Sequence, residues 1–226
     1  MSVAAIDQRP DLAAIASRIT PDSRVLDIGC GDGVLMMALR NKGCDVRGIE
    51  IDGACVERCV SQGLSVVQGD ADSDLGDYPD KGFDYAVLSQ TPQTASRPDR
   101  MLDELLRVGT RAFVSFPNFA HWRVRLSLLW NGRMPVTRSI PVSWYETQNI
   151  HHVTVHDFRE LAREKGVFAQ ACSVVLRSHP LWAIATPVHL CICNHDHICA
   201  CIHVSLCLCI CMCVRVRACV RVYVSK

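Results

Sequence analysis

Arg24-Val25-Leu26-Asp27-Ile28-Gly29-Cys30-Gly31-Asp32-Gly33 joins a short apolar run to three alternating glycines. Arg24 to Ile28 reads as a strand, and Val34 to Asn41, closed by Gly43, as the helix after it. Glycine lets a backbone turn tightly and meet a ligand without a Cβ in the way. The first turn of the next helix supplies unpaired N–H groups and the positive end of its dipole. A dinucleotide fingerprint would read GxGxxG, its third glycine seating the helix near a pyrophosphate. Here the third glycine comes one residue early. Asp27, in the strand two residues before the first glycine, suits a cationic ligand better than a phosphate.

The same rhythm runs outward. Pro10 to Ile19 reads as a helix with Leu12, Ile15, Ala16 and Ile19 on one face. Strands are expected at Asp45–Ile49, Leu64–Gln68, Phe83–Leu88 and Arg111–Phe116, with helices at Gly53–Ser61 and Asp99–Val108. Gly69 to Asp80 reads as an acidic loop. Strands alternating with helices at this spacing give an α/β fold, a mainly parallel sheet covered on both faces. In such a sheet the ligand lies beyond the carboxyl ends of the strands. Glu50 ends the second strand and can accept from two ribose hydroxyls. Asp70, just past the third, can accept from an adenine amino group. Ser89 and Gln90, just past the fourth, lie where a substrate would meet a cofactor. Pro117 to Ile150 breaks the rhythm. Thr154-Val155-His156-Asp157 resembles a capping box before Phe158 and Leu161, opening a helix that stops at Gly166. Val167 to Leu176 is a sixth strand.

Composition divides the chain of 226 residues. Residues 1–178 hold 20 Lys+Arg and 22 Asp+Glu; residues 179–226 hold four basic groups and one acid, Asp196. Nine of the 14 cysteines fall between Cys191 and Cys219, while Cys30, Cys44, Cys55, Cys59 and Cys172 are scattered. Scattered single cysteines suit a reducing compartment. The formal charge of +1 gives no global pull toward nucleic acid or acidic membrane. Charged residues interrupt any N-terminal leader, and no run reaches the roughly 18 apolar residues of a membrane span. A soluble cytoplasmic protein is expected, with one domain over 1–178. Residues 179–226 read as an unfolded tail. From 207 to 224 they alternate almost strictly in Cys, Leu, Ile, Met, Val, Arg and Ala. Most of these have codons available in alternating purine–pyrimidine DNA, which marks the tail as a translated dinucleotide repeat or a gene-model artefact. The Cys and His residues from Cys191 to His203 are zinc-ligand types, but their CxC and HxH steps match no familiar finger. No metal site is expected.

The array at the strand ends resembles the S-adenosylmethionine site of class I methyltransferases, over roughly residues 20–176. The resemblance implies a Rossmann-like three-layer sandwich whose last strand inserts antiparallel. The segment for that strand is either missing or replaced by Leu181 to Cys193. It also implies Gly29, Cys30, Gly31 and Gly33 around the methionine part and Asp27 supporting the amino group. Glu50 falls on the ribose and Asp70 near adenine, and Ile51, Ala71, Ser89 and Gln90 complete the cofactor-binding set.

A tighter resemblance lies further on. Val87-Leu88-Ser89-Gln90-Thr91, Arg97-Pro98-Asp99-Arg100 and Val114-Ser115-Phe116-Pro117-Asn118-Phe119 are similar to the MetW family of methionine biosynthesis. So are His121-Trp122-Arg123-Val124-Arg125-Leu126, Gly132-Arg133-Met134-Pro135-Val136-Thr137-Arg138, Trp144-Tyr145 and Asn149-Ile150-His151. Pro92 and the stretch Gln93 to Ser96 depart from the pattern. The resemblance implies a protein that binds S-adenosylmethionine and acts beside a homoserine O-acyltransferase. A stand-alone methyltransferase of a small metabolite and a non-enzymatic sensor of S-adenosylmethionine are the alternatives.

Residues 118–139 contain four arginines and no acid, with Phe119, Trp122, Leu126, Leu129 and Trp130 at helical spacing. Such a helix is a lid, a docking surface for a partner, or a core-packed helix with a solvated arginine face. Nucleic-acid binding is a weaker reading on a neutral chain. Methyl transfer from a sulfonium needs alignment more than an acid or base. His121, Tyr145, His151 and His152 are candidates where a base is required, and no catalytic residue is assigned. No GxSxG elbow is visible, so this chain alone is not expected to be the acyltransferase.

Overall fold

Val25, Leu26, Asp27 and Ile28 are all buried, the pattern of a central strand covered on both faces. The computed structural model describes residues 6, 8–89, 91–92, 94–134, 136, 143, 146–147, 150–175 and 188–194, the last segment and 168–175 as backbone. In chain order these give α1 (Pro10–Arg18), β1 (Arg24–Ile28), α2 (Val34–Arg40), β2 (Asp45–Glu50), α3 (Gly53–Ser61), β3 (Ser65–Gln68) and α4 (Ala71–Asp74). A single 3-10 turn, Leu75–Asp77, leads to β4 (Phe83–Ser89), α5 (Pro98–Val108), β5 (Gly109–Pro117), α6 (Trp122–Asn131), α7 (Val155–Glu164), β6 (Phe168–Val175) and β7 (Val188–Asn194). The stretch expected as an acidic loop therefore contains a helical turn, capped where the Asp70 carboxylate accepts from the Asp72 N–H at 2.9 Å. The expected N-cap forms: the Thr154 hydroxyl accepts from the Asp157 N–H at 3.1 Å, while the Asp157 carboxylate accepts from that hydroxyl rather than from the Thr154 N–H of a full capping box.

The seven strands form one sheet in the order β3-β2-β1-β4-β5-β7-β6. The first five pair in parallel, and β7 runs antiparallel between β5 and β6. The antiparallel strand is thus present. It occupies Val188–Asn194, beyond the boundary expected at residue 178, and overlaps the replacement segment considered above. Residues 195–226, with most of the tail, lie outside the described residues.

Two cores flank the sheet. Leu12 and Ile15 of α1, Leu35, Met36 and Leu39 of α2 and Cys59 of α3 cover one face with Val25, Val46, Tyr85, Val87 and Phe113. Leu102 and Leu105 of α5 and Phe158 of α7 cover the other with Leu26, Ile28, Ile49, Leu88, Val114 and Phe116. Side chains alternate along a strand. Parity therefore assigns Asp27, Glu50, Ser89 and Ser115 to the α1–α3 face, since their strand neighbours Leu26, Ile28, Ile49, Leu88, Val114 and Phe116 point the other way. Among the described residues, no helix is long and apolar enough to cross a membrane.

Candidate functional site

The glycine loop follows β1 at the carboxyl edge of the sheet. Gly29, Gly31 and Gly33 all have positive φ, at 69°, 56° and 77°, a region open to glycine at little steric cost. Two of them are also pinned by neighbours. A Cβ on Gly33, the N-cap of α2, would collide with Leu64 and lie 2.9 Å from the Cys59 sulfur. A Cβ on Gly29 would lie 2.7 Å from the Thr91 hydroxyl. Gly31 differs: nothing lies within 4 Å of the position its Cβ would take. The loop presents bare backbone to open space at this residue.

Glu50 ties β2 to the loop. One carboxylate oxygen accepts from the Gly31 N–H at 2.7 Å, and the other from the Asp52 N–H at 3.0 Å. The carboxylate thus holds the loop and still has lone pairs for outside donors. Beside it, Ile51 is an exposed apolar side chain. Asp70 and Ala71 open α4, where one Asp70 oxygen serves as the cap. Asp72, in the same turn, accepts from the Ser96 N–H at 2.9 Å, joining the β3–α4 and β4–α5 connections.

Under the loop, Asp27 is buried. Burial pushes its carboxyl up to about 7, opposed by the Arg9 charge and reinforced by that of Glu50. Burial, helped by the Asp27 charge, also pushes up the Cys30 thiol, so Cys30 is an unreactive filler rather than a nucleophile.

A second polar cluster was not anticipated from the sequence. Arg9 grips Asp11 with two hydrogen bonds, at 3.1 and 2.9 Å, and donates to the Ser89 hydroxyl at 3.2 Å. Ser89 in turn contacts Asp11 at 3.3 Å and the fully buried Ser115 at 3.1 Å. Burial alone would raise the Asp11 carboxyl, but the Arg9 hydrogen bonds and charge outweigh it and hold the group below its ordinary value. The readable signal was Asp11 itself, an acid four residues before Ile15 on the apolar face of α1. The network locks Ser89 at the tip of β4. Gln90 lies outside the described residues, as does Tyr145.

The structure therefore brings Asp27, Gly29, Cys30, Gly31, Gly33, Glu50, Ile51, Asp70, Ala71 and Ser89 to one edge of the sheet. The histidines sit elsewhere. His121 stands at the N-cap position of α6 without a side-chain capping bond, and His152 packs edge-on against Phe119 with ring centroids 4.6 Å apart. His151 and His152 line a cavity on the α5–α7 face.

A left-handed glycine loop after β1, an acid at the tip of β2 and this strand order define the class I methyltransferase fold. Solved structures of that class align with the chain. A S-adenosylmethionine-dependent methyltransferase from Mesorhizobium loti superposes with TM-score 0.64 at 16% identity, covering 83% of this chain and 97% of that one. A Thermotoga maritima methyltransferase, described as a possible histamine N-methyltransferase, gives TM-score 0.62 at 19% identity, covering 83% and 89%. Within this class the chain belongs to the methionine biosynthesis protein MetW family, whose model matches residues 9–192. A relative from Rhodopirellula baltica, the bifunctional methionine biosynthesis protein MetXA/MetW, is 31% identical over 167 residues, 70% of this chain. The chain spans 27% of that relative's length.

Proposed function

We propose that this protein binds S-adenosylmethionine at the glycine loop and acts with a homoserine O-acyltransferase in methionine biosynthesis. The observation that carries the ligand is the open space at Gly31, whose N–H is held by the Glu50 carboxylate, with the Asp27 carboxyl buried in the strand below the loop. A sulfonium and an ammonium group, both cationic, suit this acidic setting better than a phosphate would. Glu50 accepts from the ribose hydroxyls through its remaining lone pairs, Asp70 faces the adenine edge, and Ile51 offers an apolar surface for the base. The partnership is supported by the bifunctional relative, whose MetXA part we read as the acyltransferase. Free thiols at Cys30, Cys44, Cys55 and Cys59 support a cytoplasmic setting.

Calorimetry of the full chain with S-adenosylmethionine tests the ligand. We expect saturable heat, and a loss of about 1–3 kcal/mol of binding free energy in Glu50→Ala, the cost of leaving polar groups unpaired. Because Glu50 also holds Gly31, Glu50→Gln is the companion variant: it keeps the shape and one acceptor, and falls between the two. The absence of both heat and a thermal shift with S-adenosylmethionine and S-adenosylhomocysteine would remove the ligand from the proposal. Co-purification with the acyltransferase separates a partner subunit from a stand-alone enzyme. Label appearing in a product from methyl-labelled S-adenosylmethionine separates an enzyme from a sensor.

A further inference from the structure

Arg9 reaches the cofactor edge from the N-cap position of α1. Leu88 pairs with Ile28 in the parallel register of β4 and β1, so the next residues, Ser89 and Gly29, stand side by side where the strands end. The Arg9 guanidinium donates to the Ser89 hydroxyl at 3.2 Å, which brings a cation to the flank of the glycine loop. Ser89 shares its face of the sheet with Asp27, which pairs with Val87 two residues earlier. The Arg9 charge bears on Asp27, and on Asp32 within the loop. Most of the guanidinium fork is committed. Asp11, whose side chain is 1% exposed, takes Nε and Nη2, and Ser89 takes Nη2 a second time. Nη1 makes no hydrogen bond among the described residues, and the Arg9 side chain is 42% exposed. The fork is therefore held on one edge and open on the other. An arginine fixed in this way has already lost the side-chain freedom that binding would otherwise cost.

We propose that Arg9 determines specificity at this site: its Nη1 donates to the α-carboxylate of the ligand's amino-acid part, and Asp11 and Ser89 are the positioning residues that aim it. The inference rests on the adenosyl reading given above. The ligand's amino-acid part carries an ammonium and a carboxylate, and the acidic setting of Asp27 answers only the first. The open edge of a guanidinium suits the second, because hydrogen bonds between a guanidinium and a carboxylate are short and charge-assisted. The site then reads an α-amino acid zwitterion, with Asp27 on the ammonium side and Arg9 on the carboxylate side. It separates S-adenosylmethionine from adenosyl compounds that lack the carboxylate.

Full-length protein titrated by calorimetry with S-adenosylmethionine and with decarboxylated S-adenosylmethionine tests this. The two ligands share the sulfonium, the adenosine and the ammonium group. The parent should prefer S-adenosylmethionine roughly ten-fold or more, the value of a hydrogen bond between charged groups. In Arg9→Gln the preference should fall to about two-fold or less, with the decarboxylated ligand bound at least as tightly as in the parent. That variant leaves the buried Asp11 carboxylate without its counter-charge. Arg9→Gln combined with Asp11→Asn removes both charges, and the same loss of preference is expected. High salt screens long-range charge effects and should leave the parent's preference in place. Equal affinities in the parent, a preference that high salt abolishes, or variants that weaken both ligands alike would overturn the inference and leave the functional reading standing. Absence of binding of either ligand to the parent would overturn both.

Discussion

Asp27 is 2% exposed, and no described group donates a hydrogen bond to its carboxyl. In the unfolded chain this carboxyl titrates near ~3.9. In the folded protein burial moves it to about 7. Between those values the folded state keeps a proton that the unfolded state has released. Stability therefore falls as pH rises from about 4 to about 7 and levels off above. The shift corresponds to at most about 4 kcal/mol. We expect Asp27→Asn to be more stable than the parent by about 1–4 kcal/mol near pH 8 and equal to it near pH 4, measured by urea unfolding. Equal differences at both pH values would show that Asp27 does not titrate in this range. A bound cation reverses the preference by favouring the ionised carboxyl. Affinity for S-adenosylmethionine should then rise between about pH 6 and pH 8 in the parent, and calorimetry should find that rise lost in Asp27→Asn.

The strands from β1 to β5 were legible because each is a short apolar run between glycine or polar turns, and burial on both faces demands that pattern. The placement of Glu50 at the end of β2 and of Asp70 just past β3 was legible for the same reason, since strand order puts both at one edge of the sheet. What escaped the reading was fixed by contacts distant in sequence. Arg9 and Asp11 interrupt an apolar run when read locally, and only Ser89, 78 residues beyond Asp11, gives them a role. The helical turn of α4 depends on two carboxylates capping N–H groups, which a count of acidic residues records only as polarity. β7 was the hardest, because it follows a change of composition. Yet β5 and β6 are joined only through it: Val114 pairs with Cys191, and Cys191 with Cys172. A chain cut after residue 178 leaves an open edge on β5 and strips β6 of its partner, the exposure that drives edge-to-edge association. We expect that fragment to aggregate or melt at least 10 °C below the full chain, roughly 3 kcal/mol or more for a domain of this size. A chain cut after Asn194 should melt with the full chain. Equal melting of the two fragments by circular dichroism would show that β7 adds nothing to the sheet.

At the scale of the molecule, α6 contributes no side chain to either described core cluster or to the glycine-loop edge. Val124 is buried, whereas Trp122, Leu126, Leu129 and Trp130 are exposed, the last two at 79% and 78%. At 100° per residue these four fall within one narrow arc, and Val124 points away from it. The sequence left open a lid, a partner surface and a core-packed helix; the exposure removes the core-packed alternative for these four side chains. Tryptophan is the residue most enriched in binding hot spots, and Arg125 adds a charge of the kind common at interface rims. A stable interface needs roughly 800 Å² per partner, so one ten-residue helix supplies its centre rather than its whole extent. Resting on the partnership proposed above, we propose that this stripe meets the homoserine O-acyltransferase. Leu129→Glu with Trp130→Glu should weaken co-purification with that enzyme at least ten-fold, since hot-spot losses exceed about 2 kcal/mol. Both side chains are exposed, so the melting temperature should stay within about 2 °C. Val60→Glu, an exposed site on α3, serves as the control and should leave binding intact. Equal capture of all three proteins would take the partner off this helix. A sedimentation coefficient for the chain alone that falls in the double variant would give the stripe to a second copy of the same chain.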